Sequence, residues 1–226
     1  MNPVCLSKPD IIPAVWGVLE PSDYPAPGPG VILLTGSSGW KPAYPEIARS
    51  LSHSGFTALA VDYLAETGYE SGIEFRRRHW PFWQAIVRNS VALLQSDPSV
   101  DGNRLALVGY SLGAFLAVSL ACTLPEVKAV VDFFGGGSSD DKILAAQTRD
   151  FPPLLILHGD TDRVVPVRHA HCLHDAVVRN GGQVEMQIYH GAGHGFNAPW
   201  SQNFSAEKAS DSYLRMVSFL EKNLKG

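Results

Sequence analysis

The sequence predicts an α/β fold with a mostly parallel central sheet, helices on both faces and no large lid domain. Short runs of β-branched or aliphatic residues alternate with longer segments of helical periodicity, which is typical of parallel strands joined by crossover helices. The connections between these runs are too short to contain a second domain. We therefore expect the 226 residues to form a single domain over 1–226.

Apolar runs rich in β-branched residues indicate the strands. A segment over 12–20 comes first and is expected to give one or two antiparallel edge strands, whose length Pro13 and Pro21 limit. The later runs are expected to form the parallel part of the sheet. They lie near residues 31–35, 56–62, 104–109, 127–134, 153–158 and 183–189.

Helical periodicity fills several connections between these runs. Apolar residues recur there at the spacing of one helix face, which predicts amphipathic helices that cover the sheet. The recurring positions are Ile86, Val87, Ser90, Val91 and Leu94 in one connection, and Ala209, Tyr213, Met216, Val217 and Leu220 near the C-terminus. Another apolar stretch, over 114–124, follows the strand near 104–109 after a short turn.

Composition and charge exclude several classes of partner. The formal net charge of −4 gives no basic surface of the kind that binds nucleic acid. No apolar stretch is long enough to span a bilayer, and residues 1–15 lack the pattern of a secretion signal. We therefore expect a soluble, cytoplasmic protein with no membrane partner, as a monomer or small homo-oligomer. Cys5, Cys122 and Cys172 lack metal-type spacing and are expected to be reduced thiols.

The run Gly109-Tyr110-Ser111-Leu112-Gly113 carries the main chemical signal. It follows the apolar residues 105–108 and opens the apolar stretch that begins at 114, so it lies at a strand-to-helix turn. Such a turn holds a nucleophilic serine in a strained conformation, and its tightness requires glycine two residues before and two residues after that serine. The pattern therefore predicts that Ser111 is a nucleophile.

An acid and a base follow two later strands. In open α/β sheets the reactive groups gather beyond the carboxyl ends of the strands. The run 154–158 is followed by Asp160 and Asp162, and the run 184–189 is followed by His194. The chain order of serine, acid and histidine is that of an α/β-hydrolase triad. Spacing alone leaves both aspartates as candidates for the acid.

The chemistry requires all three groups. A serine hydroxyl is a poor nucleophile at neutral pH, so an imidazole must accept its proton and return it to the leaving group. A carboxylate must then hold the imidazole in the correct tautomer and stabilise its charged form. We predict that His194 is the base and that an aspartate in the loop after 154–158 orients it.

The motifs resemble those of the dienelactone hydrolase family of α/β hydrolases. The resemblance rests on Gly109 to Gly113, on His158-Gly159 with Asp162 and Val165-Pro166, and on Gly191 to His194 with Phe196, and it covers roughly residues 30–222. It implies a lidless hydrolase domain with the acid at Asp162 and the base at His194. The namesake enzymes carry cysteine as the nucleophile, where this chain has Ser111.

Backbone N–H groups are predicted to hold the oxyanion. Leu112 would stand at a helix N-terminus, where unpaired donors and the positive end of the dipole favour developing negative charge. The second donor in this architecture comes from the loop after the first central strand, read here as 31–35. We predict that the Ser37 N–H is this second donor, with the Ser38 N–H as the alternative.

The aromatic and basic residues of one connection are candidates for substrate binding. Trp80 and Trp83 are expected either to wall a pocket or to belong to the core. Arg76 begins a run of three arginines that is expected to be a solvated surface or to supply one contact to an anionic substrate group.

Together these observations predict a serine hydrolase that cleaves carboxylic esters or lactones, acting on a small-molecule acyl substrate through an acyl-enzyme. A thioesterase or peptidase with the same triad is an alternative, because the pocket walls determine leaving-group preference. A non-catalytic small-molecule receptor on the hydrolase fold is an alternative of another class. We expect no cofactor and no metal, since His171 and His174 share a helix face without an obvious third ligand.

Overall fold

The computed structural model describes residues 1–7, 13–70 and 72–225. The contacts divide the chain into two units, Met1–Leu105 and Ala106–Gly226, which are described in turn. Within the described residues no helix is long and apolar enough to cross a membrane.

The first unit combines strands and two helices. Its strands are β1 (Val4–Cys5), β2 (Trp16–Glu20), β3 (Gly28–Leu34) and β4 (Thr57–Val61), and its helices are α1 (Ala43–His53) and α2 (Ile73–Gln95). The strand order is β1-β2-β4-β3, in which β3 and β4 are parallel and the β1–β2 and β2–β4 pairs are antiparallel. The antiparallel strand predicted within 12–20 is β2, while Ile12 lies outside the described residues.

The core of the first unit lies on both sides of β4. All five residues of β4 are buried, as expected for a strand covered on both faces. Trp83 of α2 is fully buried, and its indole N–H donates to the Thr67 hydroxyl over 2.9 Å. Its ring meets Tyr63 edge-on at a centroid distance of 5.7 Å. This position makes Trp83 a core residue, which is one of the two roles that the sequence allowed.

Strand β5 (Val100–Tyr110) begins in the first unit and ends in the second. The second unit continues with α3 (Leu112–Ala121), β6 (Val127–Phe133), α4 (Asp141–Gln147), β7 (Leu154–Gly159), α5 (Arg168–Arg179), β8 (Val184–Tyr189) and α6 (Ala206–Leu224). Strands β6, β7 and β8 are parallel neighbours in that order. Their carboxyl ends therefore share one edge, and the loops that follow them carry the predicted acid and base.

The short helix α4 was not predicted. It begins at an N-cap, Asp140, whose side chain accepts hydrogen bonds from the N–H groups of Lys142 and Ile143. Leu144 is the only buried residue of this helix, so the apolar periodicity that marks longer helices is missing. The capping aspartate was the available local signal.

Candidate active site

Ser111 stands at the turn between β5 and α3, in a backbone conformation that a non-glycine residue rarely adopts. Its φ is 52° and its ψ is −114°, and its N–H donates to the Phe133 carbonyl over 2.8 Å. A side chain at position 109 would overlap the backbone of Ala114, so only glycine allows the strand to pass this close to the helix. A strained residue of this kind costs on the order of 1–3 kcal/mol and persists only where its surroundings enforce it.

A chain of hydrogen bonds joins the serine, the histidine and the aspartate. The Ser111 Oγ lies 2.9 Å from His194 Nε2, and His194 Nδ1 lies 2.7 Å from Asp162 Oδ2. Because an ionised carboxylate can only accept, the proton on the imidazole belongs on Nδ1. The lone pair of Nε2 is then directed at the serine hydroxyl, which donates to it. This is the geometry that proton transfer from serine to histidine requires.

The Asp162 carboxylate is buried and held at both oxygens. Its Oδ1 accepts from the N–H groups of Val164 and Val165, each over 2.8 Å. Burial alone would raise the pKa of Asp162, but hydrogen bonds from His158, His194 and the Val165 amide outweigh it and hold the pKa well below its usual range. The carboxylate therefore stays ionised in the folded protein.

Asp160, the other candidate for the acid, pairs with a different histidine. Its Oδ2 lies 2.7 Å from His190 Nδ1, and its Oδ1 accepts from the Gly191 N–H over 2.7 Å. The His190 side chain is fully exposed, so this pair lies at the surface. The geometry therefore joins Asp162, and not Asp160, to His194.

Two side chains of the loop after β8 form hydrogen bonds to the backbone of His194. The His194 carbonyl accepts hydrogen bonds from Asn203 Nδ2 over 2.9 Å and from Ser201 Oγ over 3.1 Å. Gly193 makes room for this contact, because a Cβ there would lie only 2.5 Å from Asn203 Cγ. These two hydrogen bonds could not be predicted from the sequence, since the two donors lie in a loop without periodicity or a motif.

The aromatic ring of Phe134 packs against the imidazole of His194. Phe134 follows β6 with a φ of 45°, and its ring meets His194 edge-on at a centroid distance of 4.9 Å. Its N–H donates to the Leu157 carbonyl over 2.9 Å, and its ring also contacts Phe196. A positive φ is uncommon for so bulky a residue, and here it places the ring against the histidine.

The residues predicted for the oxyanion hole belong to different units. Leu112 is the first residue of α3, where a helix N–H has no acceptor within its own helix. Ser37 and Ser38 are exposed at the tip of a turn in the first unit, which the Gly39 N–H closes by donating to the Gly36 carbonyl over 2.9 Å. The roles of Leu112 and Ser37 stay predictions.

The remaining predicted substrate contacts lie on α2. Arg76 and Trp80 are half-buried, and the Trp80 ring meets that of Trp83 edge-on at 6.4 Å. Substrate contact stays a prediction for Arg76 and Trp80, whereas the full burial of Trp83 favours its core role. Among the residues that the structure describes, no three His, Cys, Asp or Glu side chains are grouped as a metal site would need.

A serine at a strand-to-helix elbow, with an acid and a histidine in the loops after later parallel strands, defines the class of α/β hydrolases. The fold class predicted from the sequence is thereby confirmed. Within that class, the chain belongs to the dienelactone hydrolase family, whose model matches residues 15–224. The resemblance found in the motifs is also confirmed, and the chain is an enzyme of the hydrolase class.

Known proteins resemble the chain over most of its length. A carboxymethylenebutenolidase from a Pseudomonas species is 27% identical over 215 residues, covering 88% of this chain and 87% of the relative. A dienelactone hydrolase-like promiscuous phosphotriesterase from metagenomic libraries has a TM-score of 0.79 at 22% identity, covering 93% of each chain. A thermophilic esterase from the planctomycete Thermogutta terrifontis has a TM-score of 0.71 at 17% identity, covering 98% of this chain and 91% of the esterase. The two solved structures share the fold.

Proposed function

We propose that this enzyme hydrolyses carboxylic esters or lactones through an acyl-enzyme formed on Ser111. The observation that carries the proposal is the unbroken chain of hydrogen bonds from Ser111 through His194 to Asp162. We refer to these three residues as the proposed triad. Membership of the dienelactone hydrolase family and the likeness to a carboxymethylenebutenolidase support an ester or lactone substrate.

The first half of the reaction forms the acyl-enzyme. The Ser111 oxygen attacks the carbonyl carbon of the substrate while its proton passes to His194 Nε2. The carbonyl oxygen becomes an oxyanion in the tetrahedral intermediate. When the bond to the leaving group breaks, His194 returns the proton to the departing oxygen. The product alcohol leaves, or stays attached to the acyl group when the substrate is a lactone.

The second half releases the acid. A water molecule takes the place of the leaving group, gives its proton to His194 Nε2 and attacks the acyl carbon. Collapse of the second tetrahedral intermediate breaks the bond to Ser111, which regains the proton. Through both halves the Asp162 carboxylate stabilises the imidazolium and keeps Nδ1 protonated.

The oxyanion would be held by two backbone donors, Leu112 N–H and Ser37 N–H. Leu112 also contributes the positive end of the α3 dipole, since it is the first residue of that helix. Loss of one such donor typically costs about 2.7–4 kcal/mol of transition-state stabilisation. Because these donors are backbone groups, a side-chain substitution cannot remove them.

Labelling with a fluorophosphonate tests the nucleophile. We expect the probe to modify wild-type protein stoichiometrically and to leave Ser111→Ala unmodified, because the probe reacts with an activated serine hydroxyl. The same variant should lose about 10⁶-fold in kcat on a nitrophenyl ester. Ser119→Ala on α3 is a matched control, since the Ser119 hydroxyl donates to the Leu116 carbonyl within its own helix.

The results of labelling and of turnover assays distinguish the proposed mechanism from its alternatives. Stoichiometric labelling that persists in Ser111→Ala would show that another residue is the nucleophile. Saturable ester binding without multiple turnover would favour a receptor. Among turning-over substrates, a panel of esters, lactones and thioesters compared by kcat/KM identifies the preferred acyl chemistry.

A further inference from the structure

A buried pair of ionisable side chains, His158 and Asp132, lies beside the proposed triad and takes no part in the steps above. His158 belongs to β7 and Asp132 to β6, and both are completely buried. In the register of these two strands Asp132 lies opposite Ile156. Because side chains alternate along a strand, Asp132 and His158 project from the same face of the sheet.

His158 contacts the acid of the proposed triad by two routes. Its Nε2 lies 2.8 Å from the Val165 carbonyl oxygen and 3.5 Å from Asp162 Oδ2. A carbonyl oxygen only accepts, so Nε2 must carry a proton. The Val165 N–H in turn donates to Asp162 Oδ1. The imidazole of His158 therefore contacts both the Asp162 carboxylate and the loop that carries it.

The surroundings of the imidazole favour its charged form. Among the residues that the structure describes, the buried Asp132 Oδ2 and His158 Nδ1 have no hydrogen-bond partner. A neutral imidazole would leave an ionised Asp132 without a compensating charge nearby. Burial lowers the pKa of His158, but the hydrogen bonds to Asp162 and Val165 and the charges of both aspartates raise it above its ordinary value. The nearby His169 of α5 has its pKa lowered, first by burial and also by the charges of Arg168 and His158.

We propose that His158, as a buried cation, is a positioning residue that holds the Asp162 carboxylate ionised and aimed at His194. A carboxylate taken out of water tends to protonate unless charge or hydrogen bonds compensate it. A protonated Asp162 could no longer fix the proton of His194 on Nδ1, and the base would lose its correct tautomer. His158 opposes this protonation at Asp162 Oδ2, the same oxygen that His194 Nδ1 meets. The proposal rests on the hydrolase function proposed above.

Two substitutions of His158 distinguish the effect of its hydrogen bond to Val165 from the effect of its charge. In His158→Gln the side-chain amide can place an N–H near the position of Nε2 and so keep the bond to the Val165 carbonyl, but it is neutral. In His158→Leu both are lost. We expect kcat per titrated active site to fall by roughly 10- to 100-fold in His158→Leu and by less in His158→Gln. KM should stay near the wild-type value, because neither variant touches the substrate.

A spectroscopic measurement distinguishes positioning from a general structural role. The proton between His194 Nδ1 and Asp162 gives a downfield proton resonance, and we expect it to shift or broaden in both His158 variants. His174→Gln is the matched control, because His174 is a half-buried histidine of α5 that pairs with Asp175. It should leave kcat and the resonance unchanged.

The proposal is overturned if folded His158→Leu keeps wild-type kcat, or if kcat falls while the downfield resonance is unchanged. Should His158→Leu fail to fold, the same two readouts on His158→Gln decide the question. The parallel Ser111→Ala measurement keeps the two proposals apart. An active Ser111→Ala refutes the hydrolase mechanism, whereas wild-type behaviour of the His158 variants beside an inactive Ser111→Ala refutes only the role of His158.

Discussion

At the scale of single residues, two aspartates of one loop have opposite environments. Asp160 lies beside an exposed histidine, while Asp162 is buried and receives backbone N–H groups at one oxygen and His194 at the other. Residue spacing could not separate them, because both follow the same strand within three positions. The resemblance to the dienelactone hydrolase family implies Asp162 as the acid, and in the structure Asp162 is the aspartate of this loop that hydrogen-bonds His194.

Replacing the two aspartates one at a time tests this difference. We expect Asp162→Asn to lower kcat by about 10⁴-fold, because an amide at this position no longer fixes the imidazole proton on Nδ1. Asp160→Asn, the matched control in the same loop, should keep kcat within a few-fold of wild type. Steady-state kinetics on a nitrophenyl ester measures both. A larger loss in Asp160→Asn than in Asp162→Asn would contradict the assignment of the acid.

Other residues around the histidine were beyond prediction for a physical reason. Asn203 and Ser201 reach the His194 carbonyl from a loop, and Phe134 reaches the ring through a positive φ. Neither an irregular loop nor an isolated backbone conformation leaves a periodic trace in the sequence. Nothing in the local sequence around His158 indicates that Asp132 on the neighbouring strand β6 and Asp162 in the following loop lie close to it.

At the scale of elements, the apolar runs predicted the positions of the strands well, but they did not predict strand ends that are polar. The predicted runs near 127–134, 153–158 and 183–189 correspond to β6, β7 and β8 within one or two residues. Strand β5 begins at Val100, earlier than predicted, because several of its first residues are polar and do not continue the apolar run. Two of them, Arg104 and Asp101, form an ion pair over 2.7 Å. The two-residue β1 is too short for any alternation to be visible.

The close approach of β5 to α3 makes a prediction about Gly109. In Gly109→Ala the new Cβ would overlap the backbone of Ala114, which cannot move without displacing α3. We expect a loss of about 1–3 kcal/mol in the free energy of unfolding, together with loss of fluorophosphonate labelling as Ser111 shifts. Gly28→Ala is the control, because the nearest atom to its Cβ would be 3.8 Å away. Equal stability of the two variants, measured by urea denaturation, would contradict this account.

At the scale of the whole molecule, burial of ionisable groups ties stability to pH. Burial raises the pKa of Asp132 to about 6, although the charge of His158 and the Gly135 amide oppose the rise. The folded protein thus binds this proton more tightly than the unfolded chain does. The stability that Asp132 contributes is therefore complete at acid pH and is lost as the pH rises through about 6.

The pH dependence can be measured against a neutral isostere. Asp132→Asn keeps an oxygen for the Gly135 N–H, which donates to Asp132 Oδ1 over 2.7 Å, but it cannot ionise. We expect its free energy of unfolding to gain about 2–3 kcal/mol relative to wild type as the pH rises from about 4 to about 7. Urea denaturation across this range measures the difference. A difference that stays constant or shrinks with rising pH contradicts the buried ionisation of Asp132.

Every hydrogen bond that links Ser111, His194 and Asp162 lies within Ala106–Gly226. The proposed triad is thus encoded by the later half of the polypeptide, whereas the predicted oxyanion donor Ser37 and the predicted substrate contacts Arg76 and Trp80 are encoded by the earlier half. If Arg76 and Trp80 contact the substrate as predicted, libraries confined to Met1–Leu105 would sample new selectivities while Ser111, His194 and Asp162 are left unchanged.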